Sequence, residues 1–359
     1  MFLASILVKG GFFMKTFSLL TYTFSHFAVD YCCFRILFGA FSSAAADSLE
    51  IALGFITYNF IAFGLQMVIG AFCDKKRDFP AGALGCVLVF AALIVSLISP
   101  WAALLVTALG NAFFHVGGGI DSLVNSGGKL SRGGVFVSAG AIGVVLGTLH
   151  GSSSDDIIFP AILAAACAVL CYAAHKKCGT ECETEFRNIA STKSAVGIVL
   201  ALALVSVVIR SFGGTVIPME WKTTAELALV SGFASFFGKF LGGFAADKFG
   251  ARTTGVATLL LSIPFLVFGR GIMIISVIGV ILFNMTMPIT LGICAEKLPK
   301  NPGLAFGLTT AALLIGAVPS FFVVLGGNIA LLVPAVIISA VCIFFAADNK
   351  KSALEVCEK

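Results

Sequence analysis

Apolar runs of roughly 20 residues follow one another along the whole chain, separated by short polar segments. A helix of that length crosses the ~30 Å hydrocarbon core of a bilayer. No polar stretch is long enough for a soluble domain, so the pattern predicts an all-α integral membrane protein. It predicts twelve transmembrane helices, numbered 1 to 12, at about residues 17–41, 49–71, 80–98, 101–125, 133–150, 157–174, 194–217, 223–245, 252–269, 271–292, 302–325 and 328–346.

Composition and charge agree with a membrane location. Of the 359 residues, 59% are hydrophobic and 11% are charged, which would expose too much apolar surface on a water-soluble globule. With the amino terminus inside, the inner segments hold eighteen Lys and Arg residues, whereas the outer loops hold only Lys222 and Arg270. This asymmetry is typical of the cytoplasmic side. We therefore expect a multi-pass cell-membrane protein with both termini cytoplasmic, in contact with the lipid bilayer and without a nucleic-acid partner.

The chain contains an internal duplication. The segment Gly70-Ala-Phe-Cys-Asp74-Lys75 after helix 2 returns as Gly243-Phe-Ala-Ala-Asp247-Lys248 after helix 8, an offset of 247 − 74 = 173 residues. Likewise, Gly110-Asn-Ala-Phe-Phe-His115 in helix 4 returns as Gly279-Val-Ile-Leu-Phe-Asn284 in helix 10. Parallel repeats of this kind are typical of alternating-access transporters.

The duplication predicts two six-helix halves. We expect a cytoplasmic amino-terminal segment at 1–16, of which 1–13 form a loose extension ahead of Met14. The first half follows at 17–174, a cytoplasmic linker at 175–193, the second half at 194–346 and a cytoplasmic tail at 347–359.

The repeated Gly-x-x-x-Asp-Lys segment resembles the gating motif of the major facilitator superfamily, and the resemblance covers essentially the whole chain. It implies the major facilitator fold, with helices 1, 4, 7 and 10 around a central cavity. The first copy departs from the motif because Arg77 stands where a second glycine is usual. Each aspartate is expected to accept hydrogen bonds from a facing helix amino terminus in one conformation and to release them in the other. The motif residues are Gly70, Asp74, Lys75, Gly243, Asp247, Lys248, Gly250 and Arg252.

A finer resemblance is to the fosmidomycin-resistance type of exporter. Ser25-His26-Phe27-Ala28-Val29-Asp30 in helix 1, the helix 4 segment ending at His115, and Arg210-Ser-Phe in helix 7 are similar to that branch. Val116 departs from it, because a proline usually follows the helix 4 histidine.

In helix 5, four glycines resemble the antiporter motif of drug exporters, although ordinary small-residue packing explains them equally well. They are Gly134, Gly143, Gly147 and Gly151.

Ionisable and polar groups inside the membrane are the candidates for function, because lipid makes them costly. We expect Asp30 to carry the coupling proton, with His26 one helical turn away on the same face. His115, Arg210 and Asn284 are expected to bind substrate. Arg210 could pair with Asp30 or grip an anionic substrate, and a structural ion pair is the alternative role for Asp30. Lys239, two turns before Asp247, is expected to serve the gate.

No motif indicates an enzyme or a cofactor site. His175, Cys178 and Cys182 have the only metal-like spacing, and we expect no metal there. The expected function is secondary active transport by alternating access: proton-coupled export of a small amphipathic or anionic compound by a monomer. The alternatives are a nutrient importer for a sugar or organic acid, and a non-transporting sensor or lipid-handling protein on the same scaffold.

Overall fold

A computed structural model describes residues 2–153, 156–178 and 183–349, with backbone alone for residues 2–13 and 178. The first half contains helix 1 (Phe2–Ile36, extended by Leu37–Phe41 and Ser42–Ala44), helix 2 (Ser48–Asn59, Phe60–Gly64 and Gln66–Lys75), helix 3 (Ala81–Val95), helix 4 (Pro100–Val124), helix 5 (Leu130–Ser153) and helix 6 (Ile158–Cys178). The second half contains helix 7 (Val196–Val216), helix 8 (Leu227–Phe249), helix 9 (Ala251–Phe268), helix 10 (Met273–Asn284 and Met287–Lys297), helix 11 (Pro302–Ala317 and Val318–Phe321) and helix 12 (Ile329–Ala346).

The predicted spans are confirmed. Eleven helices in the described part of the chain are long and apolar enough to cross a membrane, and the shorter apolar helix Ala81–Val95 supplies the twelfth. One expectation was wrong: the backbone from Phe2 is already helical, so residues 2–13 are not a loose extension. Helix 10 is interrupted between Asn284 and Met287, where Pro288 cannot donate a hydrogen bond to the Asn284 carbonyl.

The most extensive contacts between the two halves are those of helix 2 with helix 11 and of helix 5 with helix 8. Glycines allow the backbones to approach. A Cβ on Gly70 would lie 2.1 Å from the carbonyl oxygen of Gly303, and one on Gly134 would lie 2.8 Å from that of Lys239. Residues 70 and 243 are equivalent in the repeat, and residues 134 and 303 have the same offset of 303 − 134 = 169 as His115 and Asn284. Both interfaces therefore use the same packing.

Three glycines of the helix 5 motif pack inside the first half. Cβ atoms on Gly143 and Gly147 would lie 2.3 Å from the carbonyl oxygens of Phe27 and Tyr31 in helix 1, and one on Gly151 would lie 2.7 Å from that of Arg35. Only Gly134 faces the other half. Small-residue packing within one half therefore accounts for three of the four positions.

The described part of the linker lies against one end of the bundle, here called the linker end. The backbone N–H of Thr184 donates to the Pro299 carbonyl, and that of Ser191 donates to the Ala346 carbonyl, at 3.0 and 2.8 Å. The carboxylate of Glu296 accepts from the backbone N–H groups of Ile189 and Ala190. The linker is thus bonded to the ends of helices 10 and 12.

Candidate functional site

Three ionisable side chains of the first half meet inside the bundle. The Nε2 atoms of His26 and His115 lie 2.9 Å apart. The His26 Nε2 lies 3.3 Å from Asp30 Oδ2, and the His115 Nε2 lies 3.6 Å from Asp30 Oδ1. All three residues are less than a tenth exposed. We call them the His–Asp cluster.

Neighbouring groups fix the cluster. Nδ1 of His26 lies 2.8 Å from the Phe136 carbonyl oxygen, and Nδ1 of His115 lies 2.9 Å from that of Asn111. The Asn111 amide also donates to Asp30 Oδ1 at 3.1 Å. Gly140 leaves room for this arrangement, because a Cβ there would lie 2.3 Å from Asp30 Oδ2 and 2.4 Å from His26 Nε2.

A cavity of about 270 Å³ lies in the second half, between helices 7, 8, 10 and 11. Arg210, Lys239 and Asn284 line it together with serines and apolar side chains, and no acidic residue is among its lining residues. Arg210 is 6% exposed, and its Nη1 is buried without a hydrogen-bond partner. The Asn284 amide donates to the Val280 carbonyl, which leaves the Oδ1 of Asn284 to accept.

The structure divides the sequence-derived candidates into two groups. His26, Asp30 and His115 form the His–Asp cluster, whereas Arg210 and Asn284 line the cavity in the other half. In the described part of the chain, no ion pair joins Arg210 to Asp30. The four helices therefore present two separate polar groups instead of one.

Three residues near these groups were missed or misplaced by the sequence analysis. Lys239 lines the cavity, whereas the sequence assigned it to the gate. Its charge within a membrane-spanning helix was the feature that could have indicated a place in the binding site. Asn111 lies one turn before His115, inside the repeated helix 4 segment. Gly140 lies three residues before Gly143 in helix 5, next to Asp30 and His26 of the cluster.

The two motif aspartates occupy equivalent positions at the linker end. Asp74 accepts from the backbone N–H groups of Gly303 and Leu304, both at 2.8 Å, where helix 11 begins. Asp247 accepts from those of Leu130 and Ser131, at 2.8 and 2.9 Å, where helix 5 begins. Each carboxylate thus binds N–H groups that lack partners within their own helix.

The remaining motif residues have different surroundings. Lys75 and Lys248 are exposed. Gly250 has a φ of 91°, which favours glycine and turns the chain into helix 9. Arg252 donates twice to the Ala347 carbonyl beyond helix 12. Arg77, the departure in the first copy, donates to the Lys300 carbonyl across the interface between the halves.

The weak metal-like spacing near the linker receives no support from its described members. His175 Nε2 lies 3.2 Å from the Asp78 carbonyl oxygen. Cys182 and the side chain of Cys178 lie outside the described residues.

Comparison with known proteins shows the fold. No protein-family model and no curated protein matches the sequence. Among solved structures, the chain is similar to the major facilitator superfamily transporter FucP in its outward conformation. The two sequences are 15% identical, the match covers 92% of this chain and 97% of that chain, and the TM-score is 0.59. A variant of the Escherichia coli fucose:proton symporter FucP gives 14% identity, coverage of 92% and 97%, and a TM-score of 0.61.

The human organic anion transporter MFSD10 (TETRAN) is also similar, with 14% identity, 92% of this chain and 99% of that chain covered, and a TM-score of 0.66. These similarities establish that the chain has the major facilitator fold. The finer resemblance to the fosmidomycin-resistance type stays a prediction.

Proposed function

We propose that this protein is a secondary transporter that moves a small organic anion across the membrane by alternating access. The observation that carries the proposal is the cavity lined by Arg210 and Lys239, which has no acidic residue among its lining residues. The fold supports it, since one similar structure is a human organic anion transporter and another a fucose:proton symporter.

The cavity suits a small anion on chemical grounds. A buried cation is costly unless it is paired, and the Nη1 of Arg210 has no partner. A guanidinium group binds carboxylate or phosphate through two parallel hydrogen bonds. The Lys239 ammonium adds a second positive charge, and the volume of about 270 Å³ favours a small substrate.

The His–Asp cluster is the proposed coupling site. The charge of Lys239 acts on both Asp30 and His115, so a cation bound at the cluster and an anion bound in the cavity influence each other across the two halves. The coupling ion expected from the sequence is H⁺, and the charge of Lys239 links its binding at the cluster to the binding of the anion in the cavity. The Asp74 and Asp247 contacts are the proposed gate at the linker end.

Export is the proposed direction, on the resemblance to the fosmidomycin-resistance type. Import of a sugar or organic acid is the second candidate, because the fucose:proton symporter is similar in structure. Because Gly143, Gly147 and Gly151 pack against helix 1 of the same half, the helix 5 motif favours neither export nor import.

The test is growth of a drug-sensitised bacterial host on a panel of toxic organic anions, with equal membrane levels of each variant. We expect the wild type to protect against at least one compound, and Arg210→Gln and Lys239→Gln to abolish protection. Arg270→Gln removes an exposed arginine paired with Glu220 and is the matched control. Asp30→Asn tests the coupling site.

The outcomes separate the two directions. Increased sensitivity of the host to a toxic anion indicates import, and uptake by proteoliposomes under a pH gradient then replaces the growth assay. Equal transport by the wild type and by both cavity variants would contradict the proposed anion site. Protection that survives Asp30→Asn unchanged would remove Asp30 from the coupling mechanism.

A further inference from the structure

We propose that His26, Asp30 and His115 form a binding site for a divalent first-row transition-metal ion. The two Nε2 atoms and the carboxylate lie close together, with all candidate ligand atoms within 4.8 Å of one another. Two imidazoles and one carboxylate are a common ligand set for zinc and non-haem iron.

When the two imidazoles are neutral, their hydrogen bonds leave the Nε2 atoms without a hydrogen. Each Nδ1 lies within 2.9 Å of a backbone carbonyl oxygen, so each Nδ1 must carry the hydrogen that it donates. A neutral imidazole then has a lone pair on Nε2, and the lone pairs of His26 and His115 face each other at 2.9 Å. This arrangement requires a positive species between them, either an added proton or a metal ion.

The geometry accommodates a metal ion. With metal–nitrogen bonds of about 2.0 Å, two nitrogens 2.9 Å apart subtend roughly 90° at the ion, an ordinary ligand angle. The ring centroids of His26 and His115 lie 4.6 Å apart. Two imidazoles that pointed straight at each other across a hydrogen bond of 2.9 Å would have their centroids roughly 5 Å apart. The rings are therefore tilted away from a head-on arrangement, as two imidazoles bound to one ion would be.

The carboxylate lies beside the two nitrogens. Asp30 Oδ2 is 3.3 Å from the His26 nitrogen, and Asp30 Oδ1 is 3.6 Å from the His115 nitrogen. With bonds of about 2.0 Å, neighbouring ligand atoms lie about 2.9 Å apart at an octahedral angle and about 3.3 Å apart at a tetrahedral one. Both separations therefore accommodate an ion that the carboxylate shares with the two imidazoles.

The surrounding groups have the pattern of an outer coordination shell. Metal-bound histidines usually donate their second N–H to a carbonyl or carboxylate, and metal-bound carboxylates accept further hydrogen bonds. Both features are present, since Asn111 donates to Asp30 at 3.1 Å. The Oδ1 of Asn111 is buried without a partner, and it is available to accept a hydrogen bond from a water molecule on the ion.

The charge of the surroundings sets the conditions for binding. Asp30 supplies one negative charge, and Lys239 on helix 8 supplies a positive one that opposes the ion. A bound organic anion in the cavity would offset that charge. Metal and proton compete for the same lone pairs, so metal affinity is expected to fall as the pH is lowered.

The experiment uses the purified full-length protein without an affinity tag, in detergent, titrated with Co²⁺ and separately with Zn²⁺. We expect one ion per chain, with the weak visible absorption bands of Co²⁺ bound by nitrogen and oxygen. His26→Gln and His115→Gln are expected to weaken binding by roughly 100-fold or more. His150→Gln and His175→Gln, the other two histidines, are matched controls that should bind like the wild type.

The inference is overturned if the wild type takes up no Co²⁺ or Zn²⁺ near neutral pH, which leaves a shared proton between the imidazoles. It is also overturned if binding survives in both cluster variants. An intense thiolate-to-cobalt band would assign the metal to cysteines instead. The wild-type result stands even if a variant fails to fold. Because binding is measured at equilibrium, a negative result leaves the proposed anion transport untouched.

Discussion

Removing the charge of Asp74 is expected to open the linker end of the molecule. The Asp74 carboxylate accepts one hydrogen bond on each oxygen, from Gly303 and Leu304 at the start of helix 11. In Asp74→Asn, one of the two acceptors becomes an amide N–H₂ group that faces another donor. The substitution changes no backbone and adds almost no volume, so it acts on this contact and on the ion pair of Asp74 with Arg77 at 3.5 Å.

The two interactions with the start of helix 11 set the size of the effect, because the ion pair of Asp74 with Arg77 lies within one half. A hydrogen bond to a charged group contributes about 1.5–3 kcal/mol, and a carboxylate at a helix amino terminus contributes a further ~0.3–1 kcal/mol. Together they stabilise the closed linker end by about 3 kcal/mol. Since ~1.4 kcal/mol corresponds to a factor of ten, Asp74→Asn should raise the ratio of open to closed molecules roughly 100-fold.

The assay is a distance distribution between spin labels at the exposed positions Lys76 and Lys300, in a background without the eleven native cysteines. The parent protein should give mainly the short distance, and Asp74→Asn should shift much of the population to a longer one. Asp78→Asn is the control, because it removes the same charge from an exposed side chain four residues away. Identical distributions for both variants would refute the gate assigned to Asp74.

Two further variants test the packing and the linker. Gly143→Ala places a Cβ 2.3 Å from the Phe27 carbonyl oxygen and should lower the free energy of unfolding by about 1–3 kcal/mol. Gly133→Ala adds a Cβ in open space and should leave that stability unchanged or raise it. Thermal unfolding of both variants measures the difference. Glu296→Gln weakens the acceptor of the backbone amides at 189–190, and we expect their hydrogen exchange to accelerate about 10-fold.

Each of these predictions can fail. Equal unfolding temperatures for the two glycine variants would mean that helices 1 and 5 separate at little cost. Unchanged exchange in Glu296→Gln would show that the other linker bonds, such as that of Thr184 to the Pro299 carbonyl, hold the segment by themselves.

Hydropathy and repetition in the sequence determined the architecture. The thickness of the bilayer fixes the length of a spanning helix, so the predicted spans agree with the observed helices to within a few residues at most ends. The repeat at 74 and 247 also indicated equivalent contacts, because a carboxylate beside a helix amino terminus is a local arrangement. The carboxylates do accept from helices 11 and 5 as this reasoning requires.

Only the tertiary structure decided how the intramembrane polar groups divide. The sequence gives the depth of each residue along its helix, but not the rotation and tilt of that helix against its neighbours, which depend on side-chain contacts. Gly140 lets helix 5 lie against Asp30 and His26, and Gly134 brings helix 5 against the backbone of Lys239. These close approaches separate the His–Asp cluster from the cationic cavity, since steric fit between distant segments sets their positions.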